Sequence, residues 1–367
     1  MSKVIIAGVD MHDNSLVCKI GVGKEDPTTN RFGNSVSGRK QLFRQLRKAT
    51  AQTQARVIVA YEASTQGFCL YDDCRDMEIE CYILAPTRMR KSKKDRKNKN
   101  DEADAQLILE TVRGHVLAGN KLPSIWIPDN KTRADRETVR SRLDLGVKLT
   151  TVKTQVQTLL KAHRLRKTSN IDKTWTKPYR KWLAAQSKEW PALATLIRQI
   201  VNMENEIKLL DAEVKKLSEI RRYAEPCKAL VENIKGVGLL TAMVYLTEMG
   251  DLSRFKNRQK LGAFLGLVPS SNESGETDDR KGHITREGSC RVRRVLCQAT
   301  WSHVRCGGEQ SPSYERIVKR NPKHKKIAVV AVMRQLGVRM WHVGLEAQKR
   351  ANVFSDEQTL TEEKKAA

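Results

Sequence analysis

The stretch Asn100-Asp101-Glu102-Ala103-Asp104-Ala105 has the residue types of a metal-dependent site. On a helix, Asp101 and Asp104 stand three apart and share one face, while Glu102 is turned away from it. Two carboxylates that close repel each other unless a cation or a proton lies between them. The stretch is entered from residues 88–99, where Arg88, Arg90, Lys91, Lys93, Lys94, Arg96, Lys97 and Lys99 stand against a single acid, Asp95. A basic arm able to hold phosphates, running into a carboxylate pair able to hold Mg2+, is a layout for phosphodiester chemistry. The same acids also suit the first turn of any solvated helix.

The elements that must position these acids are readable from hydrophobic patterning. Residues 4–9 are a nearly unbroken apolar run ending in Asp10, and 16–22 follow after a short polar turn. A weaker strand near 31–36 completes a meander. Residues 37–48 read as a helix, with Ser37 as its N-cap and Leu42, Phe43 and Leu46 on one stripe. A β-branched run over 56–61 ends in Glu62, 68–77 are helical, 80–84 form a strand stopped by Pro86, and a helix over 101–112 closes the unit. The order is β-β-β-α-β-α-β-α. With one acid at the end of the first strand and another at the end of the fourth, it resembles the ribonuclease-H-like (RuvC-like) nuclease fold. That resemblance implies a mixed sheet whose first and fourth strands are parallel neighbours. Asp10 and Glu62 would then lie side by side, and the last helix would bring Asp101 and Asp104 to the same edge. Four converging carboxylates are costly unless divalent metal neutralises them. Taken singly, each is also an ordinary strand-end or turn residue. Asp13, in the turn after the first strand, is the nearest rival and could support the site from behind.

A Pro-punctuated connector over 122–128 marks a domain boundary near residue 130. Beyond it, Leu145, Leu149, Val152, Val156, Leu159 and His163 are spaced by fours and threes. Leu193, Leu196, Ile200, Met203, Ile207, Leu210, Val214 and Leu217 then alternate threes and fours without a break. Sustained heptad spacing predicts a long coiled-coil helical hairpin over 130–222. Its narrow seam suits pairing with a second copy, and pairing within one chain stays open. Between the helices, Trp175, Tyr179, Trp182 and Trp190 interleave with Lys173, Lys177, Arg180 and Lys181. The mixture suits stacking and phosphate contact on unpaired nucleic acid. It suits aromatic anchoring of the hairpin tip equally.

The last third, 223–352, is expected to be mostly helical. Ile234-Lys235-Gly236-Val237-Gly238 before an apolar helix resembles the first half of a helix-hairpin-helix, whose Gly turn offers backbone N–H groups to a phosphate. Further on, Ser274 stands in a Gly-rich polar loop that by its composition alone is a turn. The resemblance becomes specific in combination. An N-terminal Asp, Glu, Asp-x-x-Asp set is joined by Gly266-Leu267-x-Pro269, then Glu273-Ser274-Gly275, then Gly282-x-x-Thr285-x-x-Gly288-x-x-x-x-Arg293-Arg294. Together these resemble the insertion-sequence "one-ten" family of transposases, the bridge-RNA-guided recombinases, over nearly the whole chain. The resemblance implies that Asp10, Glu62, Asp101 and Asp104 hold Mg2+ and that Ser274 is the nucleophile. Asn100 stands where Thr is frequent. It further implies a bridge RNA, target and donor DNA, and a homo-oligomer (a dimer, and a tetramer in the active complex) as partners. Arg280, Lys281, Arg286, Arg291, Arg293 and Arg294 join the 88–99 arm as candidate nucleic-acid contacts. No general-base His adjoins Ser274, and His283, the nearest, reads as structural.

Composition points the same way. Across 367 residues, 68 Lys and Arg stand against 42 Asp and Glu, a net charge of +26 that selects nucleic acid first and anionic membrane second. No apolar run has the length of a membrane span and no secretory leader opens the chain, so a cytoplasmic protein is expected. The eight cysteines lack C-x-x-C pairs and read as reduced thiols. The predicted organisation is 1–129 nuclease-like, 130–222 coiled-coil, 223–352 catalytic-serine domain and 353–367 a disordered tail. Two other readings remain: a structure-specific metal nuclease of the Holliday-junction resolvase type using water, and a nucleic-acid-binding scaffold without activity.

Overall fold

A computed structural model describes residues 4–89, 100–271 and 281–352. The chain divides into two compact units, Met1–Ile127 and Pro128–Ala367. Among the described residues, no helix is long and apolar enough to cross a membrane.

The first unit is a five-stranded mixed sheet with helices. In chain order its elements are β1 (Val4–Met11), β2 (Ser15–Val22), β3 (Thr28–Gly33), α1 (Val36–Thr53), β4 (Arg56–Glu62), α2 (Cys69–Asp76), β5 (Glu80–Leu84) and α3 (Asp101–Ala118). This is the element order read from the sequence. The strand order is β3-β2-β1-β4-β5, with β1 antiparallel to β2 and parallel to β4. β1 and β4 are buried on both faces, which is why they read as continuous apolar runs. One face packs Leu42, Phe43 and Leu46 of α1, and the other packs Ile108, Leu109 and Val112 of α3.

The third strand and first helix are displaced from their expected positions by local capping chemistry. The strand ends at Gly33 rather than 36 because Ser35, not Ser37, is the N-cap, accepting a bond from the Gly38 N–H at 3.1 Å. Gly38 is pressed against the Gly33 carbonyl, where a side chain would not fit. Helix α3 has an equally local start. The Asn100 side chain accepts from the Glu102 N–H at 3.1 Å, so Asn serves as the N-cap that Thr would also make.

How closely α3 approaches the sheet depends on Gly8. A Cβ on Gly8 would run into the Ala105 carbonyl and stand 2.6 Å from the Leu109 nitrogen. The helix therefore lies directly on the β1 backbone, two residues before Asp10.

The second unit is helical apart from one small hairpin. It comprises α4 (Asn130–Ala162), α5 (Lys177–Gln186), α6 (Pro191–Glu219), α7 (Ala224–Asn233), α8 (Leu239–Met249), α9 (Arg258–Phe264), β6 (Pro269–Ser271), β7 (Lys281–Ile284), α10 (Cys290–Arg305), α11 (Ser311–Arg320) and α12 (Lys325–Arg350). The two long helices α4 and α6 pack against each other within the chain. Val152, Val156 and Leu160 meet Leu193 and Ile200 in one core, and Ile171, Tyr179 and Leu183 at the tip complete it. Of the two pairings that the seam allows, the one within the chain is present: Leu193, Ile200 and Val214 are buried here. The base of the hairpin also shares a core with the helices that follow, through Val139, Leu143 and Val214.

The aromatic tip segment is folded in rather than offered for stacking. Tyr179 is buried; its hydroxyl accepts from Gln157 at 2.7 Å, and the rings of Trp175 and Trp182 each lie 5.5 Å from its own. Arg180 forks onto Glu204 at 2.6 and 2.7 Å, and Lys153 reaches the same carboxylate at 2.9 Å. At the other end of α4, the Gly236 turn lies at φ +83° with its α-carbon against the His303 backbone, and α8 starts directly after Gly238.

Two outcomes follow. Gly8→Ala should lift α3 from β1 and lower stability by about 1–3 kcal/mol in denaturant titration, with Gly8→Val worse. Arg180, with Lys153, holds the Glu204 carboxyl down at about 2. A depressed acid stabilises the fold above its ordinary range and loses that contribution as pH falls towards its folded value. Emission from Trp175, Trp182 and Trp190 should therefore report loosening of the tip between the ordinary glutamate range and about pH 2. Glu204→Gln should abolish that pH dependence.

Candidate metal centre

Asp10 is the penultimate residue of β1 and Glu62 the last residue of β4. In the parallel register Val9 pairs with Tyr61, so the two acids are the next residues along adjacent strands. The N-terminal turn of α3 supplies Asp101 and Asp104. Glu102 turns away as expected: it pairs with Arg31 at 2.8 Å and Lys19 at 3.6 Å, on β3 and β2.

The tightest cluster includes a residue that the sequence reading passed over. The ligand atoms of Asp10, His12 and Asp101 lie within 4.8 Å of one another. His12 Nε2 is 3.1 Å from Asp10 Oδ2 and 3.4 Å from Asp101 Oδ1, so one imidazole bridges the strand acid and the helix acid. Its position is set by the backbone, because Asn34 donates to the His12 carbonyl at 2.7 Å. Burial pushes the Asp10 carboxyl above its usual range; the charges of Asp104 and Asp101 push the same way, and His12 opposes them. Asp104 is thus close enough to act on Asp10 electrostatically, while Glu62 and Asp104 stand outside the three-residue cluster. Asp13 is not part of the site, since Gln66 takes its carboxylate. An acid followed two residues later by His at a strand end was the available signal for His12.

The cluster offers two carboxylates and an imidazole, predominantly hard ligands. That chemistry fits a divalent metal.

The other candidate residues fall into two groups. Arg90, Lys91, Lys93, Lys94, Arg96, Lys97 and Lys99 lie outside the described residues, as do Ser274 and Arg280. Arg88 closes a single turn after β5, and Arg286 is exposed at φ +58°. Two of the α10 arginines are occupied within the chain. Arg291 pairs with Asp144 at 2.6 Å, and Arg293 donates to the Gly288 and Leu265 carbonyls at 2.6 and 3.2 Å. Arg294 lines a cavity of about 1250 Å3 with Arg142, Gln298 and the Thr150–Thr154 face of α4. Ser274 belongs to the segment between β6 and β7, whose antiparallel ladder pairs Pro269 with Ile284 and Ser271 with Lys281. The base of that ladder is braced where Gly266, at φ +64°, meets Glu287 and Gly288.

These charges predict the behaviour of the metal-free protein. Asp10→Asn removes a half-buried, repelled carboxylate and should raise the melting temperature without metal. Adding Mg2+ or Mn2+ should raise the wild-type melting temperature by mass action, about 2.7 kcal/mol at a hundredfold excess over Kd. Asp10→Asn should lose most of that shift in differential scanning fluorimetry.

Comparison with known proteins agrees with this geometry. Residues 7–164 match the DEDD transposase family of IS110 type, and residues 228–315 match the Transposase IS116/IS110/IS902 family. A putative transposase, y4qE, of Sinorhizobium fredii is 27% identical over 331 residues, covering 83% of this chain and 80% of the relative. The transposase for insertion sequence element IS1533 of Leptospira borgpetersenii is 24% identical, covering 66% and 69%. That for IS1111A of Coxiella burnetii is 24% identical, covering 62% of each. With both family regions present in order, the chain belongs to the IS110/IS116/IS902 family of transposases and is a DNA-recombining enzyme.

Proposed function

We propose that this transposase cuts and rejoins DNA through a covalent phosphoserine intermediate on Ser274, assisted by a divalent metal, Mg2+, and guided by RNA. The observation that carries the reading is the convergence of Asp10, His12 and Asp101, with Asp104 beside them, at the edge of the mixed sheet. The β3-β2-β1-β4-β5 order with parallel β1 and β4 supports a ribonuclease-H-like fold for the first unit.

Asp10, Glu62, Asp101 and Asp104 would hold the metal, with His12 joining them or donating to their oxygens. When bound, the metal supplies charge neutralisation at the phosphate and lowers the pKa of a hydroxyl placed against it. The Ser274 oxygen forms a bond to phosphorus as the phosphorus–oxygen bond to one sugar breaks, and the released sugar oxygen takes up the proton. The strand stays joined to the enzyme, so the bond energy is conserved and the reverse attack by another strand's hydroxyl needs no ATP. The described cations nearest Ser274 in sequence that remain exposed include Arg286, which can face the scissile phosphate.

Ser274 and the acids lie in different units of the chain. In this reading they act together, within one protomer or across two, and the α4–α6 hairpin carries the coiled-coil role in a dimer or tetramer. A bridge RNA pairing with target and donor DNA supplies the sequence choice, and the basic arm at 88–99 and the Gly236 turn hold phosphates.

Ser274→Ala should bind DNA with wild-type salt dependence yet give neither cleavage nor a denaturation-resistant protein–DNA adduct. Mixing Ser274→Ala with Asp104→Asn subunits should restore part of the activity if each site draws on two chains. Protein stripped of RNA should bind DNA only non-specifically and recombine nothing. Wild-type cleavage by Ser274→Ala would instead make this a metal-and-water nuclease.

A further inference from the structure

We propose that the corner joining α11 to α12 is a docking surface for the phosphate backbone of duplex DNA, separate from the metal centre and the Ser274 segment. Residues 316–326 carry Arg316, Lys319, Arg320, Lys323, Lys325 and Lys326, with His324 among them and no acid. All seven side chains are exposed, and none makes an ion pair with a described residue. The segment starts one residue past the second family region, which ends at 315, so the family match does not account for it.

Three features distinguish this corner from an ordinary solvated charge run. First, it is a fixed turn: the Asn321 N–H donates to the Ile317 carbonyl at 2.9 Å, His324 to Asn321 at 3.0 Å, and Ile327 to His324 at 2.9 Å. Behind it, Tyr314 of α11 packs edge-on against Trp301 of α10, with ring centres 6.1 Å apart. Second, Arg316 and Arg320 stand one helical turn apart, with Lys319 beside them, so the cations form a row about 6 Å per step. Third, Lys325 and Lys326 occupy the first turn of α12, which has no acid and no side-chain cap. Cations at the positive end of a helix oppose the dipole, so their placement works against the stability of α12 unless an external anion faces them.

The side chains also indicate which polyanion. The row offers cations with no amide or carboxylate side chain apart from Asn321 to complement base edges, which suits backbone positioning more than sequence reading. Unpaired strands are held chiefly on aromatic platforms, and this corner presents none. An anionic lipid surface would match the charge, but the segment exposes no large aliphatic side chain and only Ile327 adjoins it. Duplex DNA is the substrate class of the family, and the inference rests on that reading.

The test uses the full chain with Arg320, Lys323, Lys325 and Lys326 all changed to Gln, alongside a charge-conserving variant that swaps Lys and Arg at the same positions. Binding to a random-sequence DNA duplex is measured across roughly 50–200 mM salt. The slope of log affinity against log salt should shrink by roughly 3–4 in the Gln variant and stay unchanged in the swap. An unchanged slope in the Gln variant overturns the proposal. So does loss confined to duplex RNA, or to vesicles of anionic lipid, with the DNA slope intact. Strand cleavage with an unchanged slope would sink the docking surface alone, whereas a wild-type protein with no affinity for DNA would sink both it and the transposase reading.

Discussion

The close approach of α3 to β1 is the constraint on which the candidate metal centre depends. Gly8 leaves room for the helix backbone to lie on the strand, and that contact decides where the first turn of α3 falls. Move the helix outward and Asp101 and Asp104 leave the neighbourhood of Asp10. The arrangement opposes itself electrostatically, because partial burial raises the Asp10 carboxyl and the charges of Asp104 and Asp101 push it the same way, with His12 opposing. Packing between Ile108, Leu109, Val112 and the sheet must hold the acids together against that repulsion. A site of this kind is paid for by the core beneath it.

The large positive charge divides into two populations with different work. Some arginines are structural: Arg140 forks onto Glu248 at 2.6 and 3.0 Å, Arg136 caps the Thr247 and Glu248 carbonyls, and Arg254 lies over the rings of Phe255 and Phe264. Burial, with Arg136 nearby, pulls the Arg254 guanidinium down to about 10. Arg291 and Arg293 belong to the same population. Net charge therefore overstates what faces a polyanion, and the free cations are concentrated in particular segments.

Much of the first unit was legible because each element carries a plain signal. Strands buried on both faces read as unbroken apolar runs, and an N-cap Asn before an acidic turn marks the start of α3. The shift of β3 and α1 was not legible, because Asn34, Ser35 and Ser37 all suit a turn or a cap and only the fit of Gly38 against Gly33 decides among them. His12 was missed since a single His after a strand resembles any turn residue, and its value comes from Asp101, which is distant in sequence. The heptad spacing of α4 and α6 was clear, whereas a spacing cannot name its partner. Likewise, Arg293 next to Arg294 looks like phosphate-binding charge until Gly288 turns its carbonyl towards it.

The placement of Asp101 and Asp104 in the first turn of α3 bears on how tightly any cation would be held. The positive end of the helix dipole at that turn favours carboxylates there even without a metal. The same field repels an arriving divalent ion, so part of what the acids gain from the helix is subtracted from the ion's affinity. Additional negative charge restores the balance, and the phosphates of a bound strand are the natural source. On the proposed function, ion and strand would then bind with positive cooperativity, each tightening the other by the same factor. Such a site would load fully only beside its substrate.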